Sequence, residues 1–169
     1  MSVKIYDNFL SEEEHKNLCE SFIFNENFSL YLHNTVTYTG SEVDELWDWY
    51  GTHTFYLLDR PSETYEKIKN VLVKKVMEVT NTKTLIRARL NFYPHTETLR
   101  EHYGHTDSDF SHVAGIYCLN TCDGFTRVDD GTIIESVANR FYTFNGGKQH
   151  NSTTTTNSKG RYNINFNLI

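Results

Sequence analysis

The stretch EHYGHTDSDFSH, residues 101–112, gathers His102, His105 and His112 with Glu101, Asp107 and Asp109 before the chain turns apolar. His105 and Asp107 stand two apart. In an extended chain such residues face the same side, so one imidazole and one carboxylate can meet a single ion. His95 and Glu97 satisfy the same condition. With eight histidines and 22 acids, about one such pair is expected from composition alone, so the pair leaves a metal site and a polar loop equally open. A third ligand from a separate element would decide. His150, in GGKQHNST, is the only histidine after residue 112 and lies between the runs NRFYTFN and RYNINFNLI. It is either a turn residue or a ligand projecting toward the first pair. A zinc set of His102, His105 and His112 is disfavoured, because their spacing does not put all three on one face of a helix or strand.

Arg161 adds weight from an independent position. It opens a run that alternates Tyr162, Ile164, Phe166 and Leu168 with polar residues, so Arg161, Asn163 and Asn165 share a face. That face lines a polar pocket or meets solvent. Inside a pocket, the planar fork of an arginine suits bidentate capture of a dicarboxylate. Two histidines and one carboxylate with open positions opposite them form the ligand set of non-haem Fe(II) oxygenases.

Positioning these groups falls to β-structure. Aromatic residues make up 14% of the chain, with eleven Tyr and eleven Phe against two Met, a mix suited to half-buried sheet faces. SEEEHKNLCESFIF reads as a helix, with Ser11 and Glu14 at capping-box spacing and Leu18, Cys19 and Phe22 on one stripe. SETYEKIKNVLVKKVMEV reads as a longer one, with Ser62 and Glu63 near its start and Ile68, Val71, Leu72 and Val76 inward. Between them LYLHNTVTYTG and GTHTFYLLD read as strands. The connector SEVDELWDWY carries Trp47 and Trp49, expected in the core or a lid, with substrate contact the less favoured role. From Thr84 onward TLIRARLNFY, HVAGIYCLN, GFTRV, TIIESVA, RFYTFN and RYNINFNLI are strands. VDDGT is a two-residue hairpin, FNGGKQ a turn and NSTTTTNSKG an exposed turn. The expected fold class is mainly β with flanking helices (α+β), a sandwich or jelly roll with both helices on one outer face.

The chain has 169 residues, enough to bury about two thirds of its unfolded surface without staples. With no repeat or linker, a single domain over 1–169 is expected. A net charge of −6 with scattered Lys and Arg gives no footprint for a phosphate backbone, so nucleic acid is disfavoured as a partner. Cys19, Cys118 and Cys122 form neither a disulfide framework nor a CxxC cluster, which favours a reduced, cytoplasmic setting. The N-terminal residues lack the apolar stretch of a signal peptide and no window is long enough to span a bilayer, so no membrane association is expected.

The order His105, Asp107, His150, Arg161 resembles the 2-oxoglutarate- and Fe(II)-dependent dioxygenase superfamily, and the resemblance covers nearly the whole chain. YDNFLSEEEHKNLCESF is similar to the opening helix of the prolyl 4-hydroxylase-like branch, FYP to its strand before the metal motif and IYCLN to its strand after it. LNTCDGFT, ESVANRF, HNSTTTT and INFNL resemble small stand-alone oxygenases carried by bacteriophages, which would place the protein in a host cytoplasm.

The resemblance implies a double-stranded β-helix (cupin-like jelly roll). It makes His105, Asp107 and His150 the catalytic iron ligands and Arg161 the anchor of the distal 2-oxoglutarate carboxylate. Tyr93, Asn91 and Asn163 fall at further co-substrate positions. It implies Fe(II), 2-oxoglutarate and O2, with ascorbate as an accessory reductant. The implied reaction hydroxylates an unactivated C–H of a peptide, protein or free amino acid, proline first, releasing succinate and CO2. Some residues depart from the pattern. Cys118 stands where prolyl hydroxylases have a tyrosine, CDG replaces a Gly-Gly turn, and Asn163 replaces a Ser or Thr. RYNINFN resembles the nucleic-acid demethylase motif but has Asn167 in place of its second Arg. Nucleobase oxidation and a catalytically silent binding module therefore stand as alternatives, and His95 with Glu97 is assigned to a loop.

Overall fold

A computed structural model describes residues 2–37 and 45–169. The elements in chain order are β1 (Lys4–Tyr6), α1 (Glu12–Phe22), β2 (Tyr31–His33), β3 (Tyr50–Leu57) and β4 (Arg60–Pro61). Then come α2 (Glu66–Ile68), a π-helical turn (Lys69–Val73) and α3 (Lys74–Thr80). The rest is strand: β5 (Leu85–Pro94), β6 (Val113–Cys118), β7 (Phe125–Val128), β8 (Ile133–Glu135), β9 (Phe141–Asn145), β10 (His150–Ser152) and β11 (Gly160–Leu168). The large sheet runs β1-β9-β6-β11-β5-β3-β2 with β4 beside β3, and the small one runs β10-β7-β8. All strand pairs described are antiparallel.

α1 starts as its sequence predicts. The Ser11 hydroxyl accepts from the Glu14 amide, and the Glu14 carboxylate accepts from the Ser11 amide at 2.9 Å, satisfying two otherwise orphaned donors. The second helical segment departs from expectation in two ways. It begins at Glu66, because the Ser62 hydroxyl pairs with that of Thr64 and caps no helix amide. The π-helical turn adds a residue to one turn, so Val73 is buried where periodicity predicts Val71, and Val71 is half-buried.

Leu18 and Phe22 of α1 share one apolar cluster with Ile68, Leu72 and Val76 and with Phe55, Leu90, Phe141, Ile164, Phe166 and Leu168 of the large sheet. Each such large side chain contributes about 1.5–3 kcal/mol on burial. A second cluster, Ala114, Ile116, Cys118, Val128, Ile134, Tyr142 and Phe144, joins the two sheets. β11 thus sends Ile164, Phe166 and Leu168 to one face and Arg161, Asn163, Asn165 and Asn167 to the other, and all seven are buried.

Three local expectations are corrected. VDDGT forms a three-residue hairpin, not a two-residue one. The Gly131 amide donates to Val128 O, the Val128 amide donates to Thr132 O, and Gly131 takes φ +86°, as in a turn closed by a glycine bulge. NSTTTTNSKG is not an exposed turn throughout: Ser152 lies in β10 and Thr153, Thr154 and Thr155 are fully buried. Their hydroxyls are satisfied by the Phe125 amide, the Arg100 amide and Asp123, which removes the penalty of burying them. LYLHNTVTYTG is strand only over Tyr31–His33, and its end, with the start of SEVDELWDWY, lies outside the described residues.

Candidate functional site

The segment carrying His105 and Asp107 is stapled along β10 and the turn before it. The His105 amide donates to His150 O at 3.0 Å and the His150 amide donates back to His105 O at 2.9 Å. The Asp107 amide donates to Gly146 O at 3.0 Å. The segment is therefore held extended, and His105, Asp107 and His150 each offer a ligand atom within 4.8 Å of the other two. It is the one such group of three among the described residues. His150 Nδ1 lies 3.0 Å from Lys148 O, which assigns the proton to Nδ1 and frees Nε2, 4.0 Å from Asp107 Oδ2. His105 Nδ1 lies 3.2 Å from the Thr37 hydroxyl. These contacts orient both rings, as outer partners of metal-binding imidazoles do.

Burial, and then the nearby His150, push the His105 pKa down to about 4, leaving a neutral ring with a lone pair at neutral pH. Burial raises Asp107, but the Arg87 guanidinium and the two histidines outweigh it, and its pKa falls below the usual value. Arg87 Nη2 donates to Asp107 Oδ1 at 2.7 Å. With its amide reoriented, Asn167 donates to Asp107 Oδ2 at 3.2 Å. Asn167 stands opposite Arg87 in the strand register, so β5 supplies a guanidinium beside the position where the resembling motif has its second Arg. The site thus holds two imidazole donors and an anionic carboxylate, a set matched to a divalent ion.

The trio lines a narrow cavity together with Tyr93, Thr126, Ser152 and Asn163. Asn91 also lines it and donates to Asn163 Oδ1 at 3.3 Å. Arg161 sits one layer behind. It is fully buried, stacks over Tyr93 at 5.6 Å, and donates to Phe125 O at 2.7 Å and to the Thr126 hydroxyl at 2.9 Å. No acid pairs with it among the described residues, and its Nε has no partner. Thr126 Oγ1 also accepts from the Tyr142 hydroxyl at 2.7 Å, so its own O–H remains available to donate. A buried cation without a counter-ion, behind a hydroxyl with a spare proton, fits a carboxylate ligand. The residues therefore fit both a divalent metal and a carboxylate co-substrate.

The structure brings His105, Asp107, His150, Tyr93, Asn91 and Asn163 to one cavity, with Arg161 behind it. It does not bring His102 or His112 into the trio. His102 lies against Tyr93 and Trp47, and burial pushes its pKa down to about 3. The ring of His112 fills the space beside Gly146, with Nδ1 on Phe110 O. His95 is an exposed loop residue on Ser158 O, and Glu97 is exposed as well. Neither tryptophan lines the cavity, and Trp49 packs on Phe92. Cys118 belongs to the apolar wall between the sheets. Sequence reasoning missed Arg87, Arg89 and Thr126. The signal for the two arginines was present in IRARLNFYP, where Arg87, Arg89, Asn91 and Tyr93 occupy alternate positions of one strand.

No family model matches the chain, and no curated protein matches it. Solved structures do. A prolyl-4-hydroxylase of Pseudomonas putida superposes with a TM-score of 0.65 at 15% identity, over 98% of this chain and 91% of that one. The viral collagen prolyl hydroxylase of Paramecium Bursaria Chlorella virus-1, solved as a 2OG complex, gives 0.64 at 14% identity over 99% and 96%. A 2OG-Fe(II) oxygenase family oxidoreductase of Burkholderia pseudomallei gives 0.69 at 11% identity over 98% and 84%. None of these comes from a bacteriophage, so the phage resemblance gains no support from them. The chain has the fold that these prolyl hydroxylases and this 2OG-Fe(II) oxygenase share.

Proposed function

We propose that the chain, acting as one domain, is an Fe(II)- and 2-oxoglutarate-dependent dioxygenase. Its substrate is a peptidyl or free amino acid, hydroxylated at an unactivated C–H. One observation carries this reading: the His105, Asp107 and His150 donors share a cavity with Tyr93 and Thr126, which contact a buried arginine with no acidic partner among the described residues. Bound iron supplies the oxidation, in which one atom of O2 enters the substrate hydroxyl and the other enters succinate as 2-oxoglutarate loses CO2.

The protein's own residues do the rest. Arg87 and Asn167 hold the Asp107 carboxylate, and Lys148 O fixes the His150 tautomer. Arg161 with Thr126 receives the distal carboxylate, with Tyr93, Asn91 and Asn163 lining its path, and the apolar wall at Ile116 limits water. A prolyl hydroxylase of Trichoplax adhaerens with the same fold, solved with a hypoxia inducible factor peptide fragment, supports the peptide side of this reading. Three free, buried cysteines are in keeping with a reduced, cytoplasmic setting. No helix among the described residues is long and apolar enough to cross a membrane.

The test is anaerobic addition of Fe(II) and 2-oxoglutarate while monitoring the visible charge-transfer band. The band is expected in wild type, absent in His150→Ala, and in Arg161→Ala present only at far higher 2-oxoglutarate. Its absence from wild type, under conditions where a known oxygenase shows it, would end the proposal.

A further inference from the structure

Arg89 is a second cation at the cavity, and the chemistry above does not use it. It lines the same space as His105 and Asp107. Its Nε donates to Asn91 Oδ1 at 3.0 Å, and its guanidinium lies over the Tyr50 ring at 5.8 Å. Those contacts fix the plane of the fork. Among the described residues its two terminal amino groups make no hydrogen bond and meet no acid, and they are not sealed from solvent. Arg87, two positions along β5, is engaged by Asp107. Burial, and then Arg87, pull the Arg89 pKa below its ordinary value, yet arginine keeps its proton in proteins. A half-buried, oriented, unpaired guanidinium beside a reaction centre is arranged to receive a planar anion.

The position of Arg89 separates it from the co-substrate anchor. Arg161 pairs with Tyr93 in the register and Asn165 pairs with Arg89, and four strand residues span roughly 13 Å. The two residues are on different rungs, and only Arg161 contacts both Tyr93 and Thr126, so the distal carboxylate of the co-substrate is assigned to Arg161. Of the charged groups near Arg89, Arg87 and Asp107 pair with each other, and Asn91 and Asn165 are neutral amides, so one positive charge is left over. That matches one carboxylate better than a doubly charged phosphate.

We infer that Arg89 binds a free carboxylate of the substrate, so that the substrate is a small carboxylate, a free amino acid, and not an internal residue of a peptide, whose carbonyl is neutral. This inference rests on the dioxygenase reading of the cavity.

The experiment uses the whole chain loaded with Mn(II) and 2-oxoglutarate. It titrates the proteinogenic amino acids calorimetrically, each as free acid and as carboxamide, together with an end-blocked proline peptide. At least one free acid is expected to bind, with its carboxamide at least tenfold weaker. Arg89→Gln should weaken that acid at least tenfold while changing 2-oxoglutarate affinity less than twofold, and Arg89→Lys should recover part of the loss. If Arg89→Gln does not fold, the acid-versus-carboxamide comparison in wild type decides. Equal binding of acids and carboxamides, tighter binding of the blocked peptide, or no amino acid bound by a protein that holds Mn(II) and 2-oxoglutarate would each overturn the assignment and leave the cofactor site standing. So would an Arg89→Gln loss that falls on 2-oxoglutarate. A wild type that does not take up 2-oxoglutarate would overturn both.

Discussion

Replacing Arg161 by Met separates two effects that the buried guanidinium combines. In the ligand-free protein the change removes a fully buried cation with no acidic partner among the described residues, whose desolvation costs several kcal/mol. It also loses the bonds to Phe125 O and the Thr126 hydroxyl, worth about 1.5–3 kcal/mol each. These effects oppose one another, and the ligand-free protein is expected to change by no more than about 2 kcal/mol. Ligand binding has no such compensation. A carboxylate held by two charge-assisted bonds gains about 3–6 kcal/mol from them, so the 2-oxoglutarate Kd should rise roughly 10²- to 10⁴-fold. At 2-oxoglutarate 100 times the wild-type Kd, ligand linkage stabilises wild type by about 2.7 kcal/mol, a Tm increase of roughly 5–11 °C for a chain of this size. In Arg161→Met the increase should fall below about 2 °C. Scanning fluorimetry with Mn(II) present, with and without 2-oxoglutarate, reads both numbers. Equal increments in wild type and variant would refute the assignment of the carboxylate to Arg161.

Arg87→Met leaves the Asp107 carboxylate, only 5% exposed, without its ion-pair partner, a loss of about 3–5 kcal/mol in urea unfolding. Saturating Mn(II) should recover more stability in the variant than in wild type, because the ion replaces the missing charge, and equal recovery would contradict this. Gly146→Ala places a methyl group inside the buried His112 ring on the residue whose carbonyl holds the Asp107 amide. A loss of about 1–3 kcal/mol with weaker Mn(II) binding is expected, and undiminished binding would show that this contact does not position Asp107. Metal-free stability should decline with acidification. The folded pKa values of His105 and His102, about 4 and about 3 against 6.5, mean that the unfolded state binds more protons below pH 6.5. Stability is then fully present above pH 6.5 and falls by up to about 1.4 kcal/mol per pH unit for each histidine. The decline ends near pH 4 for His105 and near pH 3 for His102. Asp107, held below its ordinary 3.8, adds a further loss under that pH. Urea midpoints at pH 7.5, 6 and 5 that coincide would rule this out.

Much of this was legible in the residues. The period-two alternation of RYNINFNLI determines that Arg161, Asn163 and Asn165 share a face. The Ser11 and Glu14 spacing determines where α1 begins, because both signals depend only on local backbone geometry. Only the fold decided that the polar face of β11 points inward, since an alternating strand leaves that choice to whatever covers it. Here Asn91 and Arg87 of β5 and the segment carrying Asp107 meet it, and Asn163, Asn165 and Asn167 are buried. The same holds for the threonines at 153–155, polar by composition and buried because distant amides and Asp123 satisfy them. The pairing of His150 with His105 and of Arg87 with Asp107 joins residues far apart in the chain. No local pattern encodes such contacts, and the folded sheets create them by setting strand register. Sequence by itself determined the inventory of donors and the faces on which they lie. Tertiary structure decided which of them meet, and that Arg161 is buried with no acid beside it among the described residues.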